Sequence, residues 1–363
     1  MNMIDYIGWR GDITFREKGI NDIDNLIFSE LAYTDMKSFY KADDDFSMTV
    51  AEIYDAYTRN GIDQSKLMND PLPVLRKASA SERFKNVRVY WYSDVTDADM
   101  LTQFAAVTFL YREGEAYVAF RGTDNTVIGW RECFNMSYLS ETPGQNKAVE
   151  YLNKVGGLFD GTLYVGGHSK GGNFAVYASA FCKNVIKDRI VRVYSNDGPG
   201  FLSEVSESED YLNIVDRIRK IVPESSLVGN LLDDKVKNNY ITSSAKGFVQ
   251  HDPYTWNVYG TRFEASQKQD NASVFMKDTL SRWLSSLNDE NKKIFVDAVF
   301  GTLDEAGVKS LSELGENRFA TVITLLKSAS KIDPDNKTDM QNTVKMLVKA
   351  GREVAKSGKK NSK

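Results

Sequence analysis

The sequence predicts an α/β fold, a mostly parallel sheet with helices on both faces, followed by a C-terminal helical appendage. Three observations lead there. Between residues 87 and 222, short runs rich in β-branched and aromatic residues alternate with helical periodicity, the β-then-α order that builds a parallel sheet. Near residue 169, one strand-like run passes through closely spaced glycines directly into a helical pattern. Beyond about residue 262 the strand signal stops and only helical periodicity remains.

Taken in order, residues 4–15 alternate in a hairpin-like way, with turn chemistry at Gly11-Asp12. Residues 21–36 predict a helix capped by Asn21 or Asp22, with Ile23, Leu26, Ile27 and Leu31 on one face. Further helices are expected over 48–58 and from Val74 to Phe84. Strands follow at 87–93, 104–111 and 116–120, the last two separated by the turn at 112–115. Then come a helix at 145–158, a strand at 162–166, a helix from Ser169, and strands at 189–195 and 217–222. These elements place residues 1–262 in one α/β domain and residues 263–363 in a helical appendage ending in a basic, disordered tail. Four amphipathic stripes mark the appendage. They are Met276 to Leu287, Ile294 to Leu303 (capped by Asn288), Phe319 to Leu326, and Met340 to Val348.

Composition narrows the function classes. The 363 residues can bury a sizeable core, and a net charge of −4 gives no reason to expect a nucleic acid partner. Cys133 and Cys182 have no metal-ligand or redox spacing, so no cofactor, metal or disulfide framework is expected. The N-terminus lacks a basic start followed by an apolar run, and no stretch is apolar for the roughly 18 residues of a membrane helix. A cytoplasmic protein without an integral membrane segment is the expectation.

The segment with the most chemistry is Gly167-His168-Ser169-Lys170-Gly171, a G-x-S-x-G pattern with a strand before it and a helix after it. A serine nucleophile has to stand at a sharp strand-to-helix turn so that its oxygen clears the sheet, and the flanking glycines permit the close backbone packing of such a turn. The helix that follows directs its unpaired N–H groups and the positive end of its dipole at developing negative charge. A glycine-rich turn whose serine merely caps the helix is the bland alternative.

A serine nucleophile needs a base, and the chain has two histidines. His168 adjoins Ser169 inside the turn and cannot readily fold back on it, which leaves His251. It sits in a loop before Asp252-Pro253, after the last expected strand of the domain. The acid should lie between Ser169 and His251 in chain order, at the end of a strand. Asp197 opens an Asp-Gly-Pro-Gly turn and is preferred, although Asp-Gly is turn chemistry in its own right; Glu224, at the end of the next strand, is the alternative. For the oxyanion, the backbone N–H of Lys170 and the Thr123 of Arg121-Gly122-Thr123-Asp124 are candidate donors. Residues 124–142, carrying Val127, Ile128, Trp130, Phe134, Met136, Tyr138 and Leu139, are expected to cover Ser169 and receive an acyl chain; a fixed core helix is the competing reading.

Phe120-Arg121-Gly122-Thr123 together with Gly167 to Gly172 resembles the fungal triacylglycerol lipases, sometimes called class 3 lipases. More closely, FRGTDNTVIGW, GHSKGGN, SNDGPGF, VP…SSLVG and HDP, in that order over residues 4–260, resemble a bacterial family of uncharacterised lipase-like α/β-hydrolases. The resemblance implies an α/β-hydrolase fold with nucleophile Ser169, base His251 and oxyanion donors Thr123 and Lys170. Where the fungal enzymes carry an aspartate after a strand, this chain has Glu224 and serines, so weight moves to Asp197. The expected activity is hydrolysis of a carboxylic ester or thioester, with a small-molecule ester or acyl lipid as substrate. A peptidase or amidase would use the same three residues. A catalytically idle scaffold binding a partner through the appendage is a reading from another class.

Overall fold

The structure is a computed structural model, and it describes residues 1–60, 70–97, 99, 102–123, 127–136, 138–232, 235–267, 271–305 and Met346. The chain opens with helix α1 (Met3–Arg10), α2 (Asp22–Leu31), the short strand β1 (Ser47–Thr49), α3 (Val50–Asn60) and α4 (Leu72–Ser79). Then β2 (Arg88–Asp97), β3 (Thr102–Arg112) and β4 (Glu115–Phe120) run antiparallel to one another. Helices α5 (Val127–Asn135) and α6 (Pro143–Leu158) lead into β5 (Thr162–His168), α7 (Lys170–Phe181), α8 (Asn184–Lys187) and β6 (Ile190–Asn196). Short helices α9 (Ser203–Ser206) and α10 (Glu209–Leu212) precede β7 (Ile218–Pro223) and β8 (Asn238–Ile241). A two-stranded ribbon, β9 (Val258–Tyr259) with β10 (Arg262–Phe263), precedes α11 (Asn271–Ser286) and α12 (Asp289–Glu305).

Among the described residues, β1 to β8 form one eight-stranded sheet in sequential order, with β4 through β8 all parallel. This is the expected α/β-hydrolase architecture. Side chains alternate across it with the two-residue period of a strand. Tyr117 and Ala119 of β4 join a core with α1, α2 and α4, while Ala116, Val118 and Phe120 join a second core with α6 and α7. Both faces are therefore covered, which is why the central strands are buried along nearly their whole length.

Several elements differ from expectation. Residues 3–10 are helix rather than hairpin: the Asn2 side chain accepts the N–H groups of Ile4 and Asp5, and Asp5 returns the bond to the Asn2 N–H. That capping box starts a helix whose Met3, Tyr6 and Ile7, at helical spacing, are buried. Strand β2 runs on to Asp97 through a bulge between Tyr90 and Ser93, with Trp91 at φ 52°. Strand β8 was not expected, because Asn238-Asn239-Tyr240-Ile241 has little strand character and pairs only at the sheet edge. Beyond residue 262, α11 and α12 match the first two stripes, and Asn288 caps α12 by accepting the Asn291 N–H. Arg131 of α5 reaches Asp297 of α12 at 2.6 Å, and Phe134 packs edge-on against Phe300. The other two stripes and the tail lie outside the described residues, apart from Met346. Among the described residues, no helix is long and apolar enough to cross a membrane.

Candidate active site

Strand β5 delivers Ser169 to the top of the sheet, where the chain turns at φ 57°, ψ −129° before entering α7. A non-glycine residue in that region costs about 1–3 kcal/mol and persists only where its surroundings impose it. The imposition is steric. A Cβ on Gly171 would lie 2.1 Å from the Phe120 carbonyl oxygen, so α7 starts hard against the end of β4. A Cβ on Gly122 would lie 2.2 Å from the Tyr33 hydroxyl and 3.2 Å from the Ser169 Cβ, so the loop leaving β4 rests on the serine itself.

Ser169, His251 and Asp197 are brought together. His251 Nε2 is 2.9 Å from the Ser169 Oγ, and its Nδ1 is 2.6 Å from Asp197 Oδ2. All three are buried, Asp197 completely. Asp197 follows β6 at φ 52°, a left-handed conformation that aspartate tolerates better than most residues. Its carboxylate also accepts the Ser226 hydroxyl on Oδ2 (2.7 Å) and the Gly229 N–H on Oδ1 (3.1 Å). The serine-containing segment after β7 therefore supplies hydrogen-bond donors to Asp197. Glu224 turns the other way, accepting the Ser266 hydroxyl at 2.6 Å. Glu224→Gln is expected to lower turnover by less than about tenfold, since the glutamate lies outside the Ser169–His251–Asp197 chain; a loss approaching that of a triad member, measured on any hydrolysed ester, would move the acid to β7.

His168 has a place that sequence reasoning did not find. Its Nε2 is 2.9 Å from the backbone carbonyl of His251, which can only accept, so Nε2 carries the proton and Nδ1 faces the Tyr33 hydroxyl at 3.3 Å. Burial, and then the neighbouring His251, push its pKa well below the ordinary histidine value, which keeps the ring neutral. The two imidazoles lie 4.7 Å apart. The residue before Ser169 thus ties down the loop that carries His251.

Of the two oxyanion candidates, Lys170 occupies the first position of α7, where a backbone N–H has no acceptor within the helix. Thr123 is buried in the loop that rests on Ser169. Arg121, two residues earlier, anchors that loop by donating to both oxygens of Asp94 (2.7 and 3.2 Å). Burial pushes the Asp94 carboxyl up, but Arg121 and Lys37 beside it outweigh burial and hold it below the usual carboxylate value. Residues 124–126 and 137 of the expected cover lie outside the described residues, as do the side chains of Val127 and Trp130. Residues 127–135 form helix α5, with Phe134 exposed, and the described residues between it and α6 are not helical, with Met136 buried and Leu139 exposed.

A family model described as Mbeg1-like matches residues 78–301, more than half of the chain. The chain belongs to the Mbeg1-like family. The match takes in Ser169, Asp197 and His251, and it continues through α11 and most of α12. No curated protein sequence matches this Mbeg1-like chain. Among solved structures, it is similar to M37 lipase at 15% identity, over 57% of this chain and 68% of that one, with a TM-score of 0.36. It is also similar to a point mutant of MDLA from Penicillium cyclopium (13% identity, 66% and 82% of the two chains, TM-score 0.38). A third is the Rhizomucor miehei lipase in its propeptide complex (12% identity, 66% and 80%, TM-score 0.36). Similarity at this level says nothing about substrate.

Proposed function

We propose that this protein is a serine hydrolase that cleaves a carboxylic ester or thioester. The observation that carries the reading is the continuous hydrogen-bonded chain from Ser169 Oγ through His251 to Asp197. Asp197 accepts the Nδ1–H of His251, which leaves the Nε2 lone pair facing the serine hydroxyl. As the Ser169 oxygen attacks the acyl carbon, its proton passes to Nε2. The carbonyl oxygen becomes an oxyanion, received by the Lys170 N–H and by Thr123. Collapse expels the alcohol or thiol, which takes the proton from Nε2, and water then repeats the sequence on the acyl-enzyme. The buried setting of the three residues keeps the interactions strong, because little water competes with them.

An acyl substrate is the reading best suited to the apolar α5 segment beside Thr123. Each added methylene that enters an apolar pocket contributes about 0.8 kcal/mol, roughly a fourfold rise in kcat/KM. A series of p-nitrophenyl esters from acetate to decanoate is expected to climb in this way until the pocket fills. A profile that peaks at acetate would remove the acyl-chain reading and leave a short-chain esterase. Activity on peptides or amides but on no ester would replace the esterase reading with an amidase.

A further inference from the structure

We infer that helix α5 positions the two oxyanion donors, holding both from adjacent residues, Glu132 and Cys133. This rests on the hydrolase reading above and deepens it. Glu132 is fully buried, and its Oε2 accepts the Lys170 ammonium at 2.7 Å. That ammonium is itself buried and also donates to the carbonyl and the side-chain oxygen of Gln103, both at 2.8 Å. The second Glu132 oxygen accepts the Gly144 N–H at 2.9 Å, at the start of α6, and Oε2 also takes the Gln103 N–H at 3.2 Å. The next residue, Cys133, has its Sγ 2.8 Å from the Thr123 Oγ1.

Lys170 and Thr123 leave the neighbouring parallel strands β5 and β4, 47 positions apart in the sequence, and the strand pairing ends at Phe120 and Gly167, short of both. One turn of α5 braces the two residues beyond that pairing, gripping the side chain of Lys170 through a charge-assisted bond and that of Thr123 through its hydroxyl. An oxyanion hole works only if its donors are in place before charge develops, so a helix that locks their spacing acts on the transition state rather than on substrate binding. The same contacts account for α5 being a tied helix rather than a free cover: its buried Glu132 is fastened to β3, α6 and α7 at once. Glu132 and Cys133 are positioning residues here, since neither touches the reacting atoms.

The test uses the full chain with a p-nitrophenyl ester, and counts working sites by fluorophosphonate labelling so that kcat is expressed per reactive serine. Cys133→Ala removes the grip on Thr123 without stranding a charge. It is expected to lower kcat per labelled site about tenfold, short of the roughly 10²–10³-fold cost of deleting an oxyanion donor, with KM within about twofold. The pH profile should not move, because His251 is untouched, and Cys133→Ser, which restores a hydrogen-bonding group, should recover most of the rate. Glu132→Gln should behave like Cys133→Ala wherever enough labelled protein is obtained. A merely structural role would reduce the number of labelled sites and leave kcat per site as in the wild type; that result in Cys133→Ala overturns the inference. A wild-type chain that neither labels nor hydrolyses any ester overturns the hydrolase reading, and this inference with it.

Discussion

Ser169→Ala is expected to lower turnover about 10⁶-fold while leaving the protein folded. The size follows from the members of such a triad acting as a unit, so that losing the nucleophile costs about as much as losing the whole set. The fold should survive for a reason visible in the turn. Alanine keeps the same Cβ at φ 57°, so the substitution adds no backbone strain, and the bond it deletes, to His251, belongs to the reaction rather than to the packing. Ester hydrolysis under saturating substrate, alongside circular dichroism of both proteins, checks this. A variant that retains more than a few per cent of the wild-type rate would mean another group attacks the substrate.

The second large effect is expected at Asp197. Asp197→Asn should lower turnover about 10⁴-fold with the geometry preserved, and the hydrogen bonds dictate why. Oδ1 accepts the Gly229 N–H, whereas Oδ2 meets the Ser226 hydroxyl and the His251 ring. An asparagine placing its NH₂ at the Oδ1 position would set two donors against each other, so the NH₂ takes the Oδ2 position. There it donates to His251 Nδ1, and the Ser226 hydroxyl can rotate to accept its other proton. His251 must then carry its own proton on Nε2 and can no longer take one from Ser169. Ser226→Ala, which removes one donor and leaves the tautomer alone, should cost much less. Equal losses for Asp197→Asn and Ser226→Ala would mean that Asp197 serves only to pack the loop.

How much of this could be read from the sequence depends on whether a residue's role is written in its neighbours. The central sheet was legible because β3 to β7 are short runs rich in β-branched and aromatic residues, with helical patterns among them. The turn at Ser169 was legible because its glycines are demanded by backbone contacts that any strand-to-helix elbow must make. The pairing of His251 with Ser169 was reached by counting histidines and by the place of His251 in a loop before Asp252-Pro253, after the last expected strand. Asp197 and Glu224 both follow strands, so spacing could order them but not separate them; their side chains diverge through Ser226 and Ser266, which no local pattern encodes. Helix α1 was misread because residues 4–15 alternate and Gly11-Asp12 offers turn chemistry, while the capping box at Asn2 and Asp5 is a stronger local instruction. Glu132 was passed over for the opposite reason. A glutamate in a helix usually faces solvent, and only the tertiary meeting of α5 with α7 makes it a buried partner of Lys170.

The central claim, that Ser169 is an activated nucleophile, is tested most directly by treating the full chain with a fluorophosphonate and mapping the product by mass spectrometry. The account predicts one adduct per chain, on the peptide containing Gly167 to Gly171 and on Ser169 within it, suppressed in Asp197→Asn. A wild-type chain that stays unmodified, or carries its adduct on another residue, would contradict it.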